Sequence, residues 1–308
     1  MRLNAIAAAI HEIDTNHSIL IYGPPKSGKS RLVATAAKIP EITKIYWFDL
    51  ENGYQTLLNM GLTEEEMAKI VIIRIPDTRD NPVGIETMLK LFSAKTPISI
   101  CNEHGVVGCV QCAKLGPDAS ESICFRDCKH SELVVIDSGS QLGDSALNGA
   151  CKGMDVTYKP QLDDYGSCGK WLADILSVIQ QAKTTNFVVI THELVDEEEI
   201  NGVKKDRIFP LMGTKTFSRK VAKYFGTVAY LHMKLGKHVA GSSSTYKPET
   251  LTGSRVGAVL EKSKEPSMYD ILVEGGIIKS SIVKEPSSSP AVSVLKKPGL
   301  ASSLLRKP

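Results

Sequence analysis

Eight consecutive residues, Gly23, Pro24, Pro25, Lys26, Ser27, Gly28, Lys29 and Ser30, match G-x-x-x-x-G-K-[ST] at every fixed position. A loop that grips phosphate needs that spacing. The glycines let the backbone wrap with its N–H groups inward, and the N-terminus of a following helix adds its dipole. Lys29 then reaches the β- and γ-phosphates, and the Ser30 hydroxyl coordinates Mg²⁺. The implied ligand is a nucleoside triphosphate with magnesium. The flanks suit the motif, with an apolar run from Ser18 to Tyr22 before it and a helical stretch from about Gly28 to Lys38 after it.

A second carboxylate belongs beside the phosphates. Asp137 ends the apolar run Leu133-Val134-Val135-Ile136, and an acid at the tip of a buried strand is the Walker B arrangement for holding Mg²⁺. Ser138 follows it, where many P-loop ATPases carry a catalytic glutamate. The carboxylate that polarises the attacking water is therefore sought on the next strand, in Phe48-Asp49-Leu50-Glu51. Period-two alternation places Asp49 and Glu51 on one side, with Glu51 as the candidate and Asp49 as the alternative. A further apolar run, Phe187 to Ile190, ends in Thr191-His192-Glu193, and a polar side chain such as His192 at that tip can sense the γ-phosphate.

Five of the seven cysteines, Cys101, Cys109, Cys112, Cys124 and Cys128, fall within 28 residues. Disulfides are not expected in a chain that reads as cytoplasmic, so the cluster points to metal. Cys101, His104, Cys109 and Cys112 form two x₂-spaced pairs with Gly105 beside the first, the pattern of a zinc knuckle. Cys109, Cys112, Cys124 and Cys128 form a second ligand set, with His130 as a substitute. Residues 99–130 hold too few large apolar side chains to fold alone, which supports a bound metal, and a closed site that occupies every candidate ligand makes the expected Zn²⁺ structural rather than catalytic.

The elements that must carry these residues alternate. Strands are expected at Lys44 to Leu50, Ile70 to Ile75, Leu133 to Asp137 and Phe187 to Thr191. Helices are expected at Leu3 to Ile13, Glu86 to Ala94 and Leu162 to Ala182. Short apolar runs between helices predict an α/β fold with a mostly parallel central sheet covered on both faces. Asn201-Gly202 signals a hairpin turn. Thr227 to Met233, Arg255 to Lys262 and Tyr269 to Val273 read as strands that extend the sheet in antiparallel fashion. The organisation is then a core over residues 1–283, a zinc-binding insert at 99–130 and a flexible tail at 284–308.

Composition adds limits. The 308 residues are 42% hydrophobic and 23% charged, ordinary for a globular protein. No apolar run approaches the roughly 20 residues of a membrane span, and no secretory leader is legible. The tail carries five basic residues against one acid, so the net charge of +3 leaves the rest near −1. Global charge alone does not signal nucleic-acid binding.

Together, the P-loop, Phe48-Asp49-Leu50-Glu51, Val135-Ile136-Asp137-Ser138 and Val189-Ile190-Thr191-His192-Glu193 resemble the RecA-like recombinase ATPases over about residues 15 to 280. The resemblance is closer to phage-encoded, reduced RecA-like proteins that bind nucleotide or anneal single strands. It implies a RecA-like P-loop NTPase fold, ATP as the nucleotide, and ATP hydrolysis coupled to single-stranded DNA in recombination or annealing. It also implies a homo-oligomer, a single-strand-binding protein as a further partner, and a location in the host cytoplasm without membrane contact. DNA would lie on two loops, Ser138 to Asp164 with Lys152, Tyr158 and Lys159, and Leu194 to Gly213 with Lys204, Lys205 and Arg207. A cation from a neighbouring subunit would come from Lys215 or Arg219. Where RecA carries a glutamine at the sensor tip, this chain has His192.

Overall fold

The protein is described by a computed structural model over residues 16–200, 203–257 and 260–279. The helix expected at Leu3 to Ile13, the Asn201-Gly202 turn and the tail at 284–308 lie outside these residues. In chain order the strands are β1 (Ser18–Tyr22), β2 (Lys44–Asp49), β3 (Ile70–Arg74), β4 (Ile98–Cys101), β5 (Ser120–Ile123) and β6 (Glu132–Asp137). They continue as β7 (Asn186–Thr191), β8 (Glu193–Ile200), β9 (Val203–Pro210), β10 (Thr227–Lys234), β11 (Lys237–Gly241) and β12 (Gly253–Ser254). The principal helices are α1 (Lys29–Ala34), α2 (Val83–Ser93), α3 (Gly139–Ala150), α4 (Leu162–Gln181) and α5 (Met268–Leu272).

The central sheet runs β11-β10-β1-β7-β6-β2-β3, with β12 also on β10. The six strands from β10 to β3 are parallel neighbours, and only β11 and β12 run antiparallel. The apolar runs of β1, β2, β6 and β7 are buried on both sides, as the centre of a parallel sheet demands, while β3 at the edge is half-buried. Leu20, Phe48, Val134, Ile136 and Val189 pack against α2, α3 and α4. The alternate residues Ile19, Ile21, Trp47, Val135 and Ile190 pack against α1 and α5. This is the expected three-layer α/β fold.

Four expectations are corrected. The strand at Thr227 to Met233 exists, but it pairs parallel to β1. Arg255 to Lys262 is no strand: β12 stops at Ser254, Leu260–Lys262 is a 3₁₀ turn, and residues 258–259 lie outside the described set. Tyr269 to Val273 belongs to α5, which starts with a capping box in which Ser267 and Asp270 satisfy each other's backbone. The loop expected from Ser138 is in its first half helix α3, capped by the Ser138 hydroxyl, which accepts from the Gln141 N–H.

The insert docks on the core. β4 and β5 form a separate two-stranded antiparallel sheet. Just beyond it Phe125 sits among Phe48, Phe92 and Phe187, with ring centroids 5.8, 4.7 and 5.6 Å away. Such pairs contribute about 0.5–1.5 kcal/mol each beyond area burial. The insert thus borrows the main core, in keeping with its own shortage of large apolar residues.

Candidate functional site

β1 delivers the chain to the P-loop, and α1 leaves it at Lys29. Gly28, the residue before the helix, has φ +94°, and a Cβ there would meet the His238 ring at 2.5 Å. His238 Nδ1 in turn contacts the Ser27 carbonyl at 2.7 Å, so the tip of the β10–β11 hairpin braces the loop from behind. The Lys29 ammonium donates to the Gly23 and Pro24 carbonyls at 3.1 and 2.8 Å. Burial lowers its pKa, against the pull of Asp137, Glu51 and Glu193.

β7 lies between β1 and β6, and this spacing sets the P-loop opposite the tip of β6. There the Ser30 hydroxyl donates to Asp137 Oδ2 at 2.8 Å. Burial pushes the Asp137 carboxyl up to about 7; Ser30 and Lys29 oppose the shift, while Glu51 and Asp49 add to it. A hydroxyl and a carboxylate held together are hard oxygen donors, the set Mg²⁺ takes in nucleotide sites. A desolvated carboxyl near neutrality is also one that a bound cation restores to its charged form.

The cavity around this pair measures about 350 Å³. Lys26, Gly28, Lys29, Ser30, Glu51, Asp137, Ser138 and His192 are among the residues that line it. Its neighbour, about 760 Å³, shares Gly28 and Arg31 with it and is floored by Leu32, Ile39, Met60, Pro266 and Tyr269. Lys38, Lys237, His238 and Lys264 line this neighbour as well, so the two cavities, joined around the start of α1, are both mixed in character.

Glu51 and Asp49 do not share a role. β2 ends at Asp49, whose buried carboxylate accepts from the Gly53 and Tyr54 N–H groups at 3.0 Å each and shapes the following turn. Glu51 lies in that turn and faces the cavity, its Oε1 accepting from the Ser138 hydroxyl and standing 3.1 Å from His192 Nε2. Burial raises the Glu51 pKa, but the contacts from His192 and Ser138 outweigh it and hold the carboxylate below its ordinary value. His192 sits between β7 and β8. Its N–H donates to Ser140 Oγ at 2.9 Å, and Ser140 donates to the Leu211 carbonyl at 2.8 Å. The Leu211 N–H closes the loop onto the His192 carbonyl at 2.8 Å. The carboxylate, the imidazole and the root of the β8–β9 hairpin are therefore one hydrogen-bonded unit. Ser138, Ser140, Arg31 and His238 are not among the site residues expected from sequence.

Three of the basic residues expected to meet DNA, Lys152, Lys204 and Arg207, are paired with acids. Lys152 pairs with Glu86, Lys204 with Glu197 at 3.1 Å, and Arg207 with Glu198 at 3.5 Å. Lys205 stands opposite Glu198 in the hairpin register. The Tyr158 hydroxyl donates to Asp164 at 2.6 Å, and Lys159 is exposed. Lys215 and Arg219 both grip Asp196, whose side chain is 4% exposed.

Cys101, His104, Cys109 and Cys112 converge, their candidate ligand atoms all within 4.8 Å of one another. Cys124 and Cys128 do not join them: both are buried, and Cys128 Sγ contacts the Cys124 carbonyl at 3.5 Å. His130 Nε2 instead reaches the Ile277 carbonyl at 2.6 Å. The first of the two ligand sets is the one the fold assembles.

No helix among the described residues is long and apolar enough to cross a membrane. No curated protein matches the chain in sequence. Among solved structures, it is similar to an ATPase from the type III secretion system of pathogenic bacteria, with 15% identity and a TM-score of 0.41 over 79% of this chain. The chain spans 57% of that protein's length. It is also similar to the RadB recombinase, at 15% identity and a TM-score of 0.36, covering 74% of this chain and 81% of that one. A third likeness is to the flagellar accessory protein FlaH of Methanocaldococcus jannaschii, at 11% identity and a TM-score of 0.34, covering 74% and 78%. The AAA domain family AAA_24 matches residues 15–256, most of the described chain. With its P-loop and its β6 carboxylate on a mostly parallel sheet, the chain belongs to the AAA domain family and has a P-loop α/β fold.

Proposed function

We propose that the protein binds ATP with Mg²⁺ and hydrolyses it, with Glu51 polarising the attacking water. The observation that carries this reading is the pairing at one cavity of Ser30 with Asp137 and of Glu51 with Ser138 and His192. Lys29 and the loop N–H groups hold the phosphates, while the adjoining cavity, with Leu32, Ile39 and Tyr269 beside Lys38 and Lys264, takes base and sugar. Mg²⁺ held by Ser30 and Asp137 neutralises charge on the β- and γ-phosphates. Glu51, ionised at neutral pH, accepts the proton of the water it orients, and His192 and Ser138 hold that carboxylate in place. A change at the γ-phosphate reaches the β8–β9 hairpin through His192, Ser140 and Leu211. Zn²⁺ in the Cys101/His104/Cys109/Cys112 cluster is structural.

The partner implied by the resemblance is single-stranded DNA, acted on in recombination or annealing by a homo-oligomer, with a single-strand-binding protein as helper. A second reading is a nucleotide-gated partner switch with little turnover. The acidic partners of Lys152, Lys204, Arg207, Lys215 and Arg219 favour it, since a strand of phosphates would have to displace them. Measuring ATP hydrolysis with and without single-stranded DNA, with Lys29→Ala as control, separates the readings. Stimulation by DNA that is lost in Lys29→Ala supports the recombinase reading. A DNA-independent rate refutes DNA coupling, and tight ATP binding without turnover selects the switch.

A further inference from the structure

The four converging ligands flank a second set of contacts that lead to the catalytic turn. A tetrahedral zinc centre with Zn–S near 2.3 Å and Zn–N near 2.0–2.1 Å separates its nitrogen and sulfur ligands by about 3.6 Å. His104 Nδ1 lies 3.9, 3.9 and 3.3 Å from the sulfurs of Cys101, Cys109 and Cys112. The Val106 N–H already points at Cys101 Sγ, 3.4 Å away, as an outer hydrogen bond to a ligating thiolate would.

Between the ligands Cys101 and His104 stand only Asn102 and Glu103, and both hold Arg74 at the end of β3. The Arg74 N–H donates to the Asn102 carbonyl at 2.7 Å, and its guanidinium pairs with Glu103 at 2.9 Å. On its other side the same guanidinium reaches Asn52 Oδ1 at 3.4 Å and lies 5.3 Å from the centroid of the Tyr54 ring. Asn52 and Tyr54 flank the turn that begins with Glu51. The knuckle is also seated firmly: the Thr87 hydroxyl donates to the Gly105 carbonyl at 2.5 Å, and a Cβ on Gly105 would meet Ile75 at 2.5 Å.

We propose that a zinc ion bound by Cys101, His104, Cys109 and Cys112 fixes Asn102 and Glu103, and that Arg74 passes this constraint to the Glu51–Tyr54 turn. Arg74 is thus a positioning residue for Glu51, and metal occupancy controls how well the water-polarising carboxylate is placed. This inference rests on the ATPase reading only for its effect on turnover; the metal and the bracing stand without it. Exposed ion pairs such as Arg74–Glu103 contribute little to global stability. The effect is therefore local.

The test uses the full chain. Elemental analysis is expected to find one zinc per protein, and less than a tenth of an equivalent overturns the proposal. Amide hydrogen exchange is then followed in the peptide spanning residues 50–57, before and after zinc is stripped with a chelator, and in Arg74→Ala. Both treatments are expected to speed exchange there by about tenfold or more, as local opening does, while β1 and β6 remain protected. Arg74→Ala should keep its zinc and its ATP affinity yet lose turnover by an order of magnitude or more, the size of effect that about 1 Å of misplacement brings. Arg74→Lys, which keeps the charge without the planar fork, should recover part of it. Unchanged exchange at 50–57 in zinc-free protein overturns the bracing. A protein that shows the exchange changes but never hydrolyses ATP refutes the ATPase reading alone.

Discussion

Acidification should destabilise this protein through one histidine remote from the nucleotide. His17 precedes β1 and is 7% exposed, its Nε2 2.7 Å from Thr227 Oγ1 and its ring against Gly226. Burial, assisted by Arg255, lowers its pKa from 6.5 to about 4. Between those values the unfolded chain binds a proton that the folded chain refuses. The stability that His17 preserves by staying neutral is thus fully present above pH 6.5 and is lost as pH falls towards about 4. At 1.36 kcal/mol per pH unit the whole linkage is about 3–4 kcal/mol, of which roughly three quarters is spent by about pH 4.5. Urea unfolding of wild type and His17→Gln across this range measures it. Carboxylates titrate in both proteins, so the difference between the two curves isolates the imidazole. The variant should start less stable at neutral pH and converge on wild type on acidification. Parallel curves over the whole range would show that His17 titrates normally, and the burial reasoning would be rejected.

Glu51→Gln keeps the size of the side chain and an acceptor for Ser138 but loses the charge; turnover should fall roughly 10²–10³-fold with ATP affinity unchanged, and a matching loss of affinity would move the role elsewhere. Gly143→Ala puts a Cβ 2.2 Å from the Gly213 backbone nitrogen, so urea midpoints should report a loss of about 1–3 kcal/mol. Ser140→Ala removes the hydroxyl shared by the His192 N–H and the Leu211 carbonyl. Its cost should be about 1–3 kcal/mol, with nucleotide-induced protection of β8 weakened; unaltered protection would break the proposed link between site and hairpin.

Features with fixed local spacing are legible in the sequence. The P-loop, Asp137 at the tip of an apolar run, and the paired Cys/His ligands each depend on residues a few positions apart. What resists reading depends on distant neighbours. β10 pairs parallel to β1, a strand from the other end of the chain, and no local pattern encodes that pairing. Helix α3 is masked by Gly139, Gly143 and Gly149, poor helix formers that this helix needs because Met212, Gly213 and Ile85 press on them. The apolar run of α5 imitates a strand, although Ser267-Met268-Tyr269-Asp270 carries a legible capping box. Glu51 is reached by strand alternation, yet the strand stops two residues short of it; the turn tied by Asp49 is what aims it.

The β8–β9 hairpin begins one residue after His192, and its eight paired positions run from a buried root at Phe209 and Pro210 to exposed residues such as Glu199 and Lys204. At about 3.4 Å per residue the arm extends some 25 Å. A tilt of about 10° at such a root, the scale of one rearranged hydrogen bond, carries the far end through about 4 Å over that length. Under the proposed link through His192 and Ser140 the arm would be a lever: a small change at the γ-phosphate would become a displacement the size of a side chain at its outer end, where cross-strand pairs of opposite charge lie.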